Sequence, residues 1–150
     1  MRALIQRVEK AQVIINKKDN RFISKGLLIF IGVENEDSEK DIEWLSAKIS
    51  KLRIFDDKEG VMNYSLIDIG GEAMVISQFT LYAKTKKGSR PSYIRAAKPE
   101  ISIPIYEKFI ENLSDKIGRR VKSGDFGAHM DVELINDGPV SIWIDTKNKE

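Results

Sequence analysis

The chain has 150 residues, of which 41% are hydrophobic and 32% charged, with a net charge of +2. This length favours one domain, residues 1–150, with a sizeable core. There is no cysteine and one histidine, which excludes disulfides, thiolate nucleophiles and multi-histidine metal sites, so we expect no metal and no cofactor. No apolar run approaches the ~18 residues of a membrane span, and the first residues lack the apolar stretch of a signal peptide. The sequence therefore predicts a cytoplasmic protein without a membrane contact.

Strands are predicted over most of the first 33 residues. Valine and isoleucine are frequent over residues 3–15, and a polar turn at 17–20 precedes a short strand at 22–24. The continuous apolar run at 27–33 predicts a strand that is buried on both faces. A short strand that ends in a turn is predicted at 53–60, and further strands are predicted at 73–82, 121–122, 132–135 and 140–144.

Two helices are predicted between these strands. Ser38 begins the first, and Asp41 three residues later makes an arrangement close to a capping box. The second has Ser102 as its cap, Pro104 in its first turn and Gly118 at its end. The predicted fold class is α+β, a mostly antiparallel sheet or barrel with about two helices.

The segment from residue 73 to residue 99 contains no acidic residue. Aromatic residues are interleaved there with six basic ones, which are Lys84, Lys86, Lys87, Arg90, Arg95 and Lys98. Cations that meet phosphates and rings that accept stacked bases are typical of single-stranded nucleic-acid binding. A solvated loop that happens to lack carboxylates explains the charge pattern equally well.

The strand predicted at 73–82 carries the polar residues Ser77, Gln78 and Thr80. Their simplest interpretation is an exposed strand face. A serine or threonine nucleophile needs a base, and the single histidine, His129, lies in a segment without a triad pattern. Composition and spacing alone thus lead to an α+β domain with a possible affinity for RNA.

The sequence N-D-G-P at 136–139 separates the last two predicted strands. Asp-Gly is a favoured two-residue turn, so the direct prediction is a hairpin. Pro139 fits this poorly, because it has no N–H to donate to a ladder at the point where the second strand begins.

Several segments together resemble the D-aminoacyl-tRNA deacylases over nearly the whole chain. They are M-R-A-L-I-Q-R-V (1–8), G-L-L-I-F-I-G-V-E (26–34), R-I-F-D-D-K-E-G-V-M-N (53–63), S-Q-F-T-L (77–81), G-S-R-P-S-Y (88–93), F-G-A-H-M-D-V (126–132) and N-D-G-P-V-S (136–141). The resemblance implies a homodimeric, cytoplasmic, metal-free hydrolase. Such an enzyme cleaves the ester between a D-amino acid and the 3′-terminal adenosine of tRNA, and removes glycine from mischarged tRNA.

The resemblance also implies roles for individual residues. The S-Q-F-T motif would line the pocket at the scissile ester, with Ser77, Gln78, Phe79 and Thr80. Gly138 and Pro139 would be joined by a cis peptide bond and would project into the partner subunit's site, oriented by Arg7. Phe126 and Met130 match pocket positions. The family usually has threonine where this chain has Ser141.

Three functions and two mechanisms are compatible with these residues. A D-aminoacyl-tRNA deacylase is the leading hypothesis; a non-catalytic RNA-binding module using residues 84–98 and a general esterase are the others. For the deacylase we expect the backbone N–H groups of Phe79 and Thr80 to stabilise the oxyanion. Water assisted by the ribose 2′-hydroxyl would attack the ester. The rival mechanism is an acyl-enzyme on the Thr80 hydroxyl.

Overall fold

Residues 1–149, the part of the chain that this computed structural model describes, form eight strands and two α-helices. In chain order the elements are β1 (Arg2–Ile15), β2 (Asp19–Ile23), β3 (Gly26–Gly32), α1 (Glu39–Lys51), β4 (Phe55–Asp56), β5 (Met62–Tyr64), β6 (Glu72–Ser77), a 3-10 helix (Phe79–Tyr82), α2 (Pro99–Ile117), β7 (Lys122–Ser123) and β8 (Met130–Asp145). Neither helix has the length and hydropathy that crossing a bilayer requires, within these described residues.

Strand β1 is the centre of the sheet. It pairs antiparallel with β2 and β3 along one edge and with β8 along the other. Two parallel pairings, β3 with β6 and β6 with β7, extend the sheet. Side chains then bridge β7 back to β2, where Lys122 donates to the carbonyl of Phe22. The result is a nearly closed, mixed sheet, and the predicted α+β class is confirmed, with parallel pairs added to the antiparallel ones.

Both faces of β3 are buried, as its continuous apolar run predicts. Leu27, Ile29 and Ile31 pack into the larger core cluster, under the two helices. Leu28 belongs to a second cluster on the opposite face, built mainly from β1, β2 and β6. This double burial makes β3 the rigid element against which the rest of the sheet is aligned.

Helix α1 begins as predicted. The Asp41 carboxylate accepts hydrogen bonds from the N–H and the hydroxyl of Ser38, at 2.9 and 2.8 Å. Although burial works against ionisation, hydrogen bonds from Thr146, Lys147 and Ser38 hold the pKa of Asp41 well below its usual value.

The predicted start of the second helix was wrong. Helix α2 begins at Pro99, one turn earlier, with Lys98 as the preceding cap residue. Proline at the first helical position sacrifices no hydrogen bond and has a suitable φ. Ser102 therefore lies inside the helix, where its hydroxyl donates to the carbonyl of Lys98 at 3.0 Å. The helix ends at Gly118 in the left-handed region, as predicted.

The strand predicted at 73–82 was also wrong in its second half. Strand β6 ends at Ser77, and the chain then turns into the 3-10 helix. Gly32 on β3 permits this turn, because a Cβ there would lie 3.2 Å from the carbonyl oxygen of Gln78 and 3.1 Å from the ring of Tyr82. The S-Q-F-T motif is thus a strand end and a tight turn, without the two alternating faces of a strand.

No hairpin forms at residues 136–139, contrary to the direct prediction. Strand β8 runs through them, and both of its halves pair with β1. Gln6 is opposite Ser141 and Val8 is opposite Asn136, so the segment 137–140 bulges out across from Arg7. The two flanking strands do not pair with each other because both have the same partner, and the N-D-G-P sequence belongs to a bulge.

Candidate active site

A pocket of about 390 Å³ opens where β6 gives way to the 3-10 helix. Ser77 and Phe79 line one side, and Phe126 with Gly127 the other. The rest of the wall is largely apolar and comes from β3 and the segment leading into α2, with Ile31, Val33, Tyr93, Ala96, Ala97, Lys98, Pro99 and Ser102. The fold therefore brings together Ser77 and Phe79 of the S-Q-F-T motif, the end of the basic segment and Phe126. Gln78 and Thr80, which the resemblance also placed at the pocket, are not among its lining residues.

The turn in the S-Q-F-T motif places two backbone N–H groups, those of Phe79 and Thr80, at the start of the 3-10 helix. The N–H of Gln78 extends the sheet to the carbonyl of Ile31 at 2.7 Å, and the N–H of Leu81 returns to Gln78 at 3.2 Å. Phe79 and Thr80, between them, open the 3-10 helix, where N–H groups have no acceptor within the helix. The Thr80 side chain has a partner within the motif: its hydroxyl accepts a hydrogen bond from the Gln78 side-chain amide at 2.5 Å.

The basic segment folds into a small exposed hairpin. Lys84 and Ser92 exchange backbone hydrogen bonds of 2.8 and 3.0 Å, and Lys86, Lys87 and Arg90 are exposed between them. At the base of this hairpin the Phe79 and Tyr93 rings meet edge to face, with centroids 5.0 Å apart. Phe79 is 54% exposed, so an aromatic pair lies between the cations and the pocket.

Arg95 and Tyr82 differ from the other members of this segment. The Arg95 guanidinium forms an ion pair with Glu34 at 2.9 Å. Tyr82 is completely buried, and its hydroxyl also donates to Glu34, at 3.2 Å. Burial, together with nearby carboxylates that include Asp37, raises the pKa of Tyr82. These two side chains anchor the segment to the core.

Of the two pocket positions matched by resemblance, only Phe126 lies on the pocket wall. Its ring packs against Tyr106 with centroids 5.9 Å apart. Met130 pairs with Ile15 at the start of β8. Its side chain occupies the space that a Cβ on Gly124 would need, and it packs into the second core cluster.

The Gly138–Pro139 peptide bond is cis, and both residues are exposed at the tip of the bulge. Arg7, which is only 4% exposed, fixes the root of this bulge. Its Nε donates to the carbonyl of Asp137 at 2.9 Å, while Nη1 donates to the carbonyl of Ile54 at 2.6 Å. A Cβ on Gly138 would lie 2.9 Å from Nη2 of Arg7, and φ there is +130°, so this position suits glycine.

Hydrogen bonds between the two ends of the bulge also stabilise it, in addition to those from Arg7. The Asn136 side chain accepts from the N–H of Val140 at 2.7 Å and donates to the Ser141 hydroxyl at 3.0 Å. Gln6 donates to the same hydroxyl at 3.2 Å. The Ser141 hydroxyl oxygen is therefore the common acceptor for both side-chain amides.

Strand register separates the bulge from the pocket of its own chain. Arg7 pairs with Leu27, and Leu27 pairs with Ala73. Ser77 is thus four residues along and three strands across from the bulge, about 13 Å in one direction and about 14 Å in the other. Measured along the sheet of one chain, the Gly138–Pro139 unit is therefore separated from Ser77 and does not adjoin it.

Sequence reasoning missed the apolar half of the pocket. Ala96 and Ala97 reach it because Ala97 donates to the carbonyl of Val33 at 2.9 Å. Small residues in an irregular loop give no periodic pattern, and only the three-dimensional path of the chain identifies them. Ser102 lines the pocket from the first turn of α2, which begins one turn earlier than predicted.

Comparison with known proteins agrees with this architecture. The model of the family described as D-Tyr-tRNA(Tyr) deacylase matches residues 4–145. Proteins named D-aminoacyl-tRNA deacylase from Bacteroides fragilis and Flavobacterium psychrophilum are 60% and 58% identical over 150 residues, covering 100% of both chains.

Solved structures extend this likeness to the fold. A protein named c-Myc DNA Unwinding Element Binding Protein is 35% identical with a TM-score of 0.89, covering 97% of this chain and 98% of its own. A probable eukaryotic D-amino acid tRNA deacylase shares the fold at 16% identity, with a TM-score of 0.82 over 95% of this chain and 97% of its own. By its sequence and its fold, the chain belongs to the D-Tyr-tRNA(Tyr) deacylase family.

Proposed function

We propose that the protein hydrolyses the ester bond of D-aminoacyl-tRNA and releases the free D-amino acid and tRNA. The observation that carries this proposal is identity of about 60% over the whole chain to relatives that are named D-aminoacyl-tRNA deacylase. We also propose that it acts on glycyl-tRNA, works in the cytoplasm and functions as a homodimer.

The chemistry of an aminoacyl ester suits the proposed site. Such an ester is an activated acyl group, so its hydrolysis needs positioning of water and stabilisation of the developing oxyanion more than it needs a strong nucleophile. The N–H groups of Phe79 and Thr80 are the proposed oxyanion donors. Water, assisted by the ribose 2′-hydroxyl, is the proposed nucleophile, and Ser77 lines the pocket beside it.

The Thr80 hydroxyl is a poor candidate for an acyl-enzyme. Its hydrogen-bond partner is the Gln78 amide, which has no basic lone pair. His129, the one imidazole in the sequence, is 70% exposed and lies 3.3 Å from Asp131. Both observations favour the water mechanism.

Thr80→Ala is therefore expected to retain turnover within about threefold of the wild-type rate, because loss of the hydroxyl leaves the backbone N–H groups in place. Single-turnover hydrolysis of D-aminoacyl-tRNA measures this. Thr85→Ala, in the exposed hairpin, is the matched control. Abolished activity in a folded Thr80→Ala protein would favour the covalent mechanism.

Chiral selection is proposed to reside in Gly138 and Pro139. A backbone with little side chain can approach the substrate Cα closely, leaving room for hydrogen and not for Cβ. Since the bulge is remote from Ser77 of its own chain, it would act in the site of a second copy. Such a gate admits glycine, which has hydrogen on both sides, and ignores the identity of the amino-acid side chain.

Incubation of the protein with D-aminoacyl-, L-aminoacyl- and glycyl-tRNA tests the function directly. We expect ester loss from the D and glycyl substrates and not from the L substrate, with similar rates for different D-amino acids. Tight binding of all three without ester loss would instead support an RNA-binding module. Hydrolysis of free small esters at comparable rates would support a general esterase.

The exposed cations Lys84, Lys86, Lys87 and Arg90 are proposed to contact the tRNA backbone, while Arg95 has a structural role beside Glu34. The triple variant Lys86→Ala/Lys87→Ala/Arg90→Ala is expected to weaken tRNA binding. It should also reduce the slope of log K against log salt concentration by about 2–3, since each phosphate contact contributes about 0.7–0.9. Filter binding from 50 to about 200 mM salt measures both. An unchanged slope would show that this hairpin does not contact RNA.

A further inference from the structure

One wall of the pocket comes from a segment outside the sheet. Phe126 and Gly127 lie in the loop between β7 and β8. Its backbone hydrogen bonds to the sheet are few: Gly124 donates to Val75 at 3.2 Å, and His129 accepts from Asn16 at 3.0 Å. The position of Phe126 therefore depends on side-chain contacts at the base of the loop.

Arg21, on β2, supplies these contacts from across the gap between β2 and β7. Its Nη1 donates to the carbonyl of Ser123 at 2.6 Å, and its Nη2 forms an ion pair with Asp125 at 2.8 Å. Asp19 accepts from Nε and Nη2 at 3.1 and 2.8 Å and orients the guanidinium. The planar guanidinium thus bridges β2 to the two residues that bracket Gly124, and Asp125 directly precedes Phe126.

The loop base leaves little room for alternatives. Met130 and Ile76 fill the space around Gly124, so a side chain cannot be added there without displacing them. Met130 and Ile76 pack against Gly124, and Arg21 binds its two neighbours, Ser123 and Asp125. Residues 126–129 continue directly from Asp125, which the ion pair with Arg21 holds.

The exposure of this pair indicates a local role. The side chains of Arg21 and Asp125 are 31% and 52% exposed, and ion pairs so accessible to water contribute little to the free energy of unfolding. Loss of the pair should leave the fold intact and loosen the loop that carries Phe126.

We propose that Arg21 and Asp125 are positioning residues that hold Phe126 against Tyr106 and so maintain the pocket wall for the substrate's 3′ end. This inference deepens the proposed function and rests on it. Neither residue touches the reacting atoms; both act through the loop.

Two variants of opposite charge test the proposal. Arg21→Ala removes a positive charge and Asp125→Ala removes a negative one, yet each eliminates the ion pair between these two side chains. We expect both to raise KM for D-aminoacyl-tRNA about tenfold, with kcat within about twofold, because displacement of a binding wall weakens substrate binding. A general effect of charge on RNA binding would raise KM in Arg21→Ala and lower it in Asp125→Ala, which would overturn the proposal.

Arg119→Ala is the matched control, since Arg119 also donates to a backbone carbonyl, that of Gly70, at 2.6 Å. It should leave KM unchanged. The double variant Arg21→Ala/Asp125→Ala should raise KM no further than either single change. Independent, additive effects would overturn the proposed pair.

Amide hydrogen exchange gives a readout that does not depend on activity. Exchange at residues 124–129 should accelerate in both variants, while the core strands keep their protection. Unchanged loop exchange, or acceleration across the whole sheet, would overturn the positioning role. If the wild-type protein fails to cleave D-aminoacyl-tRNA, the proposed function fails, and the exchange experiment alone decides whether Arg21 and Asp125 position the loop.

Discussion

Arg7→Ala is expected to lower the free energy of unfolding by about 2–3 kcal/mol, because it leaves the buried carbonyl of Ile54 and the bulge carbonyl of Asp137 without their donor. Asp56, 3.2 Å from Nη1, loses its ion-pair partner as well. Urea denaturation measures the change. Arg119→Ala, whose hydrogen bond is on the surface, should change stability by less than about 0.5 kcal/mol.

The same variant should lose chiral discrimination. Without Arg7 the bulge loses the donor to the Asp137 carbonyl and keeps only the hydrogen bonds made by Asn136 and Gln6, so the ratio of D- to L-aminoacyl-tRNA hydrolysis should fall at least tenfold. Arg7→Lys should be intermediate, because a single ammonium group cannot reproduce the two-direction hydrogen bonding of a guanidinium. An Arg7→Ala protein that folds and discriminates as the wild type does would show that the bulge is not the gate.

Gly26→Ala is expected to be the more damaging change, at more than about 4 kcal/mol. An added Cβ would overlap the carbonyl oxygen of Glu72 and lie 2.7 Å from its carbonyl carbon. These are backbone atoms of the neighbouring strand and cannot rotate away. Gly26 and Glu72 form the first pair of the β3–β6 ladder, which ends with Ile31 opposite Ser77, so separating them displaces the candidate site.

The control for this change is Gly60→Ala. Gly60 has φ of +77° and no heavy atom within 4 Å of an added Cβ, so alanine there should cost about 1–2 kcal/mol from backbone strain alone. Urea denaturation of both variants separates steric overlap from strain. A Gly26→Ala protein no less stable than Gly60→Ala would mean that β3 and β6 can separate without loss of the fold.

Features that depend on residues close together in the sequence could be predicted, and features that depend on distant residues could not. Helix α1 could be predicted from Ser38 and Asp41, because a cap is a contact between residues three positions apart. The end of β6 could not, since it depends on Gly32, a residue of another strand that leaves room for the turn. The path of 136–139 likewise depends on both flanks pairing with β1; neighbouring residues alone favour a hairpin.

The candidate site divides in the same way. The resemblance identified the S-Q-F-T and Gly-Pro motifs together, yet only register shows that one chain keeps them apart. Charge pattern grouped Arg95 with the cations of the hairpin, and burial of its partner Glu34 separates it from them. Arg21 gave no signal in the sequence, because Ser123 and Asp125, the partners through which it holds the loop, are about 100 positions away.

The bulge has a consequence for how β8 can vary in length. From Gln6 to Lys10 strand β1 advances four residues, while β8 covers six between Ser141 and Ile135. Strand β8 thus has two more residues than β1 over this stretch, an even number. The apolar residues of β8 that pack inwards are therefore even-numbered on both sides of the bulge. They are Met130, Val132, Leu134, Val140, Ile142 and Ile144. Inserting or deleting one residue would turn one half inside out, whereas a change of two would preserve both halves. The alternation of the two halves of β8 therefore restricts changes in the length of the segment between them to even numbers of residues.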